Sequence, residues 1–166
     1  WILKAIDDSL SRLGTDYVDV YYLHRDDPGT PMAETVTAVT DVVAAGKARY
    51  WGVSNYGGWR IAEAIRVAGD LGAPRPVVVQ PYYNAMNRMP EVEILPACAH
   101  YGLGVIPYSP LARGVLTGKY TPDAEPSEET RAGRNDTRMM ETEFRRESLV
   151  MAQQIKAHAE KRGMTA

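Results

Sequence analysis

Residues 49–72 read RYWGVSNYGGWRIAEAIRVAGDLG, and this stretch decides the fold. Its first part, Arg49–Val53, has the β-branched and aromatic content of a buried strand. A helical pattern of apolar residues follows over Trp59–Leu71 and stops at Gly72. The stretch therefore predicts one β-strand followed by one α-helix.

The same pattern recurs on both sides of this unit. Further strands are predicted at Val18–Leu23, Val77–Gln80 and Gly104–Tyr108, so that strand starts lie roughly 30 residues apart. Helices are predicted in the gaps at Pro31–Ala45, with Thr30 as N-cap, and at Pro90–Tyr101. This spacing indicates parallel strands joined by helical crossovers. An open doubly wound sheet and part of a (β/α)₈ barrel both fit the pattern.

The two ends of the chain carry helical patterns, over residues 2–13 and 152–159, and both termini read as truncated. A complete barrel needs about 250 residues, whereas these 166 residues contain four predicted strands. We expect residues 1–166 to form one partial barrel domain, with residues 121–147 as a long polar loop.

Composition excludes several function classes. The net charge of −2 gives no support for nucleic-acid binding, which favours a basic face. Cys98 is the single cysteine and is predicted to be a core thiol, and the three histidines lack metal-ligand spacing, so no metal site is expected. No apolar run reaches the roughly 18 residues of a membrane span, and no signal peptide is visible. We therefore expect no membrane partner and a cytoplasmic location.

Polar side chains follow each predicted strand at its carboxyl end. These are His24, then Ser54 with Asn55, then Gln80, with Tyr108 ending the last strand. Each alone is an ordinary loop, turn or core residue. Since the carboxyl ends of parallel strands meet on one face, the residues are expected to converge on a site.

The segment GVIPYSPLARGVLTGKY at 104–120 adds a binding function to that face. Gly114 and Gly118 permit close backbone approach, and Arg113 and Lys119 supply positive charge. This composition suits an anionic ligand with a flat ring. The segment lacks the serine or threonine of a P-loop, and no Rossmann glycine fingerprint is present.

Four segments together resemble the aldo-keto reductase family: residues 9–27, 46–55, 77–84 and 104–120. The resemblance extends over almost the whole chain. It is strongest to the branch with bacterial NADP-dependent oxidoreductases and potassium-channel β-subunit-like proteins. It implies a (β/α)₈ barrel, of which this chain would supply strands four to seven.

The resemblance also implies roles for the converging residues. His24 matches the catalytic histidine, which helps to orient the substrate carbonyl. Ser54, Asn55 and Gln80 match the groups that bind the nicotinamide carboxamide, and Tyr108 matches the aromatic residue that stacks on the nicotinamide ring. The loop that wraps the cofactor pyrophosphate would comprise Ser109, Leu111, Arg113, Gly114, Leu116 and Lys119. The expected cofactor is NADPH, with NADH left open, and the expected substrate is a small aldehyde or ketone.

The chain departs from the family in its catalytic residues. The family's Asp, Tyr and Lys come from upstream segments, so only His24 of the tetrad lies in these 166 residues. Tyr21 and Tyr22 lie inside a strand and are not expected at the site. The isolated chain is therefore expected to be inactive and to self-associate through open sheet edges. The alternative function is a nucleotide-binding regulatory or redox-sensing subunit without useful turnover.

Overall fold

The computed structural model describes all 166 residues, which form six α-helices and four β-strands. Their bounds are α1 Ile2–Leu13, β1 Val18–Leu23, α2 Met32–Ala44, β2 Ala48–Ser54, α3 Gly58–Asp70, β3 Val78–Gln80, α4 Ile94–Tyr101, β4 Gly104–Val105, α5 Thr137–Thr142 and α6 Arg146–Glu160. Two short 3₁₀ segments lie at Met89–Glu91 and Ala112–Thr117.

The contacts divide the chain into two compact units. The first unit comprises Trp1–Tyr82 and Arg88–Tyr108, and the second comprises Tyr83–Asn87 and Ser109–Ala166. A single barrel domain over residues 1–166 stays a prediction, and each unit is described by itself below.

The first unit contains one parallel sheet with the strand order β1-β2-β3-β4. Its register pairs Val18 with Ala48, Val53 with Val79, and Val79 with Val105. Each strand lies beside the next one along the chain, and a helix connects each pair. The parallel βα architecture predicted from the spacing is confirmed.

The helices of the first unit cover the sheet in chain order. α1 contacts α2, α2 contacts α3, and α3 contacts α4, while α2 and α4 also contact strands. The main core lies between these layers and includes Trp51, Val53, Ile61 and Cys98, all buried. The buried cysteine agrees with the prediction of a core thiol.

Two local predictions were wrong. The fourth strand was expected to reach Tyr108 but ends at Val105, and Tyr108 keeps only an isolated parallel bridge to Tyr82. The Ile106 and Tyr108 N–H groups still donate to the Val79 and Pro81 carbonyls, but Pro81 has no N–H to donate back to the Ile106 carbonyl, which interrupts the ladder. Thr30 does not cap α2, because its hydroxyl donates to Asp27 Oδ2 at 2.7 Å.

The second unit is built on a core of its own. Val115, Leu116, Tyr120, Met139 and Leu149 are among its buried members. The segment 121–147, expected as a polar loop, contains α5 and the first residues of α6. The Asp136 side chain caps α5 by accepting the Met139 N–H at 2.9 Å, which explains why a helix begins there.

None of the helices combines the length and the apolar character that crossing a membrane requires.

Candidate functional site

Asn55 joins the ends of three strands in the first unit. It follows β2 with a φ of 57°, a left-handed conformation that asparagine adopts more readily than most residues. Its Nδ2 donates to the His24 backbone carbonyl at 2.8 Å and to Ser54 Oγ at 3.1 Å. Its Oδ1 accepts the Tyr108 hydroxyl at 2.9 Å. One side-chain amide thus links the segments after β1, β2 and β4.

Ser54 continues this network to β3. Its hydroxyl donates to the Gln80 backbone carbonyl at 2.8 Å, and the residue is only 1% exposed. The serine therefore holds β2 and β3 together below the site surface. The Gln80 side chain is partly exposed at the end of β3. Hydrogen bonds thus join the side chains of Ser54, Asn55 and Tyr108 to the backbone carbonyls of His24 and Gln80, and the ligand-binding roles of the five residues stay a prediction.

Tyr108 stacks on a residue that the sequence analysis missed. The rings of Tyr82 and Tyr108 have centroids 5.4 Å apart and planes 21° from parallel. Tyr82 thus supports one face of the Tyr108 ring, and the tyrosine pair is partly exposed. The signal for Tyr82 was its position two residues after Gln80, just beyond the end of β3.

His24 is exposed and lies on the wall of a cavity of about 820 Å³. Tyr21 and Tyr22 also line this cavity, although they were expected away from the site. Burial raises the pKa of both tyrosines above the usual value, so their hydroxyls stay protonated near neutral pH. Asn55 and Tyr108 do not line the cavity.

The loop after His24 is internally ordered. Asp27 accepts the Gly29 N–H at 3.0 Å and the Thr30 hydroxyl at 2.7 Å. The hydrogen bond from Thr30, with that from Gly29, holds the pKa of the Asp27 carboxyl below its usual value. No group of three His, Cys, Asp or Glu side chains in the chain could hold a metal ion.

The predicted phosphate loop lies in the second unit and has an unusual backbone. Ser109, Ala112 and Arg113 have φ values of 50°, 47° and 54°, and Gly114 follows at 97°. Non-glycine residues rarely adopt these angles, and each costs of order 1–3 kcal/mol. Left-handed runs of this kind form anion-binding concavities.

Buried Asn84 supports this loop and was also missed by the sequence analysis. Its Nδ2 donates to the Ser109 carbonyl at 3.1 Å, and its Oδ1 accepts the Met86 and Asn87 N–H groups at 2.9 Å. The signal in the sequence is an asparagine before a turn, where its side chain often satisfies backbone groups.

The predicted ligand residues of the second unit differ in accessibility. Lys119 is exposed and its Nζ would lie 3.2 Å from a Cβ placed on Gly114, so the cation lies over the left-handed turn. Leu111 is exposed, and Leu116 is buried in the core. Two loop amides, those of Ala112 and Gly114, donate to the Ser109 and Leu111 carbonyls.

Arg113 pairs with an acid of the second unit. Its Nε lies 3.9 Å from Glu143 Oε1, and both side chains are largely buried, with exposures of 13% and 5%. The positive charge of Arg113, which was predicted to bind an anionic ligand, is therefore offset by the carboxylate of Glu143. Lys119 is the exposed cation of this loop.

Comparison with known proteins places this arrangement in a family. The sequence profile of the Aldo/keto reductase family matches residues 1–166. The chain belongs to the aldo/keto reductase family. Aldo/keto reductases fold as (β/α)₈ barrels, and the four parallel βα units are part of such a barrel.

Individual relatives match about three quarters of the chain. A rice protein named "Probable voltage-gated potassium channel subunit beta" is 49% identical over 120 residues, which are 72% of this chain and 37% of the relative. The L-glyceraldehyde 3-phosphate reductase of Escherichia coli K12 is 40% identical over 121 residues, 72% of this chain and 35% of that protein. Human aflatoxin B1 aldehyde reductase member 2 is 43% identical over 119 residues, 72% of this chain and 33% of that protein. The matched part of this aldo/keto reductase thus spans little more than a third of its relatives' length.

Proposed function

We propose that the full-length protein reduces an aldehyde or a ketone to an alcohol with NADPH, and that NADH is the second candidate cofactor. The observation that carries this proposal is the hydrogen-bonded chain from the Tyr108 hydroxyl through Asn55 to the His24 carbonyl. The names of the E. coli and human relatives, which both specify an aldehyde or its reductase, support the same reaction class.

The residues of the first unit fit a nicotinamide ring and its carboxamide. Both Nδ2 hydrogens of Asn55 are used within the protein, but Oδ1 accepts one hydrogen bond and has a second lone pair. That lone pair suits a carboxamide N–H. The partly exposed Tyr108 ring, supported by Tyr82, suits stacking on an aromatic ring. A bound nicotinamide nucleotide would supply the hydride.

We infer that the His24 side chain acts on the substrate. It is exposed at the end of β1, and its backbone is held by Asn55. We assign it a hydrogen bond to the substrate carbonyl oxygen, which stabilises the negative charge that develops there. In the second unit, the left-handed turn at 112–114 and exposed Lys119 suit a phosphate group.

The first experiment measures carbonyl-dependent NADPH oxidation by the full-length protein. His24→Ala should lower turnover by roughly 10²-fold or more and change the cofactor dissociation constant little. His100→Ala is the control, because His100 is exposed in α4 and should leave both quantities unchanged. A His24→Ala protein with full turnover would contradict the catalytic assignment.

The second experiment tests the stacking assignment by cofactor binding. Tyr108→Ala should weaken binding by about 1–3 kcal/mol, the range found for aromatic–base stacking. Tyr50→Ala, which removes an exposed tyrosine of β2, is the matched control. Equal cofactor dissociation constants for the two variants would rule out a stacking role.

A regulatory, nucleotide-binding subunit is the alternative function. It is favoured by the rice relative, whose name specifies a potassium channel subunit beta. Under this alternative the full-length protein binds the nucleotide but shows no turnover with any carbonyl compound. For the isolated 166-residue chain we expect no turnover, since His24 is the one tetrad residue it contains.

A further inference from the structure

A nearly buried arginine ties the segment after β1 to the first turn of α3. Arg60 is only 8% exposed. Its Nε donates to Asp26 Oδ1 at 2.9 Å, and its Nη1 donates to Glu63 Oε2 at 2.5 Å. Asp26 lies two residues after His24, so the arginine holds the part of the chain that carries the histidine.

Asn55, which lies between β2 and α3, makes a second attachment to the segment after β1. Asn55 Nδ2 binds the His24 carbonyl, while Arg60 binds the Asp26 carboxylate. A single attachment would leave the segment free to pivot, whereas two attachments, two residues apart, fix the direction of the backbone between them. Asp27 then closes the following turn through Gly29 and Thr30, within its own loop.

Arg60 also balances the charges of two partly exposed carboxylates, those of Asp26 and Glu63. Burial alone lowers the pKa of the Arg60 guanidinium, but hydrogen bonds and charges from Asp26 and Glu63 raise it above its usual value. The arginine therefore stays charged between two carboxylates. Without it, the carboxylates of Asp26 and Glu63 would both lose their cationic partner.

We propose that Arg60 is a positioning residue that acts through Asp26 to fix the backbone of His24. The role assigned to it is indirect, through its hydrogen bond to Asp26. The catalytic consequence rests on the function proposed above, in which His24 binds the substrate carbonyl. The structural consequence, a rigid segment from His24 to Asp26, is independent of that function.

The test of the structural consequence is ¹⁵N relaxation of the full-length protein. The backbone order parameters of residues 24–26 should be about 0.85 in the unchanged protein and below about 0.6 in Arg60→Met. Arg60→Lys, which keeps the charge and one donor direction, should restore part of the order. Arg66→Met is the matched control, because Arg66 lies in the same helix but makes an exposed ion pair with Asp70.

Unchanged order parameters in Arg60→Met, or an equal loss in Arg66→Met, would overturn the proposal. Should Arg60→Met fail to fold, Asp26→Ala supplies the same test with Arg60 in place, because it removes the oxygen that accepts the Arg60 Nε–H, and order at residue 24 should again fall. Intact order in Asp26→Ala would overturn the proposal equally.

The kinetic arm separates this proposal from the proposed function. In an active reductase, Arg60→Met should lower kcat by roughly tenfold or more, with an unchanged NADPH dissociation constant and recovery in Arg60→Lys. Full kcat in Arg60→Met would overturn the positioning role in catalysis. If the unchanged protein reduces no carbonyl compound while residues 24–26 lose order in Arg60→Met, the proposed function fails and the structural proposal stands.

Discussion

At the scale of single residues, the burial of a polar side chain changes its pKa and thereby the pH dependence of stability, and Tyr56 is an example. Tyr56 is 4% exposed, and burial, with the charge of Asp26, raises its pKa to about 12 from 10.0. The neutral phenol is thus favoured by folding. Stability from this group is complete below pH 10 and is lost as the pH rises to 12, because only the unfolded chain ionises there.

We predict that Tyr56→Phe removes this loss. Two pKa units correspond to about 2–3 kcal/mol of unfolding free energy. Denaturant unfolding at pH 9 and pH 12 measures the difference in stability for both proteins. Between these two pH values, the decrease in unfolding free energy should be larger for the unchanged protein than for Tyr56→Phe by this amount. An equal loss in the two proteins would contradict the pKa assigned to Tyr56.

Arg113 offers a second prediction at this scale. Its ion pair with Glu143 is largely buried, whereas Lys156 and Glu160, at a similar separation of 4.0 Å, are exposed. Removing one partner of a buried pair costs about 3–5 kcal/mol, against about 0–1 kcal/mol at the surface. Urea unfolding should therefore show a large loss of stability for Arg113→Met and almost none for Lys156→Met. Similar small losses would mean that Arg113 is free to bind an anion.

At the scale of elements, glycines in α3 make a matched pair. A Cβ on Gly58 would lie 3.0 Å from the Glu93 backbone oxygen and 3.1 Å from its carbonyl carbon, while a Cβ on Gly69 would meet nothing within 4 Å. Neither glycine has a positive φ. The first turn of α3 therefore packs against the chain before α4 without room for a side chain.

We predict opposite effects of alanine at these two positions. Gly58→Ala should destabilise the chain by about 1–3 kcal/mol, since backbone atoms cannot move aside cheaply. Gly69→Ala should stabilise it by about 0.5–1 kcal/mol, because alanine is the better helix former. Thermal unfolding of both variants measures the shifts. Two shifts of the same sign would contradict this account of α3.

The elements show what the sequence could predict and why the rest needed the structure. The bounds of β1 and the type of every strand followed from local apolar runs and helix stops. The early end of β4 depends on Pro81, which follows the neighbouring strand β3 and has no N–H to donate to the Ile106 carbonyl. Likewise, the bond from Arg60 to Asp26 joins residues 34 apart in the chain, which no local pattern indicates.

At the scale of the whole molecule, the parallel topology explains why the candidate site could be predicted in part. Convergence of His24, Asn55 and Gln80 follows from strand order alone. The hydrogen bonds made by each side chain depend on tertiary geometry, which the sequence does not show. Both the nitrogen and the oxygen of the Asn55 amide are hydrogen-bonded within the protein, and Ser54 is buried. The division into two compact units was also invisible in the sequence, because apolar spacing does not show how contacts are grouped.

The sheet of the first unit has two edges, formed by β1 and β4. Because Val18 N–H donates toward β2 and successive groups of a strand alternate, the N–H of Asp19 points to the open side of β1. Such an edge is a template for another strand. We propose that the isolated chain self-associates through the β1 edge.

The last prediction tests this edge with a pair of variants at one position. Asp19→Pro removes the outward N–H donor of Asp19 and should not remove a bond to β2, so it should shift the chain toward monomer in sedimentation velocity. Asp19→Ala removes the same exposed ion pair with Arg49 but keeps the N–H, so it should associate like the unchanged chain. A monomeric unchanged chain at every concentration would contradict the proposal. Equal association of the two variants would show that the contact lies elsewhere, because the proline acts only on the edge of β1.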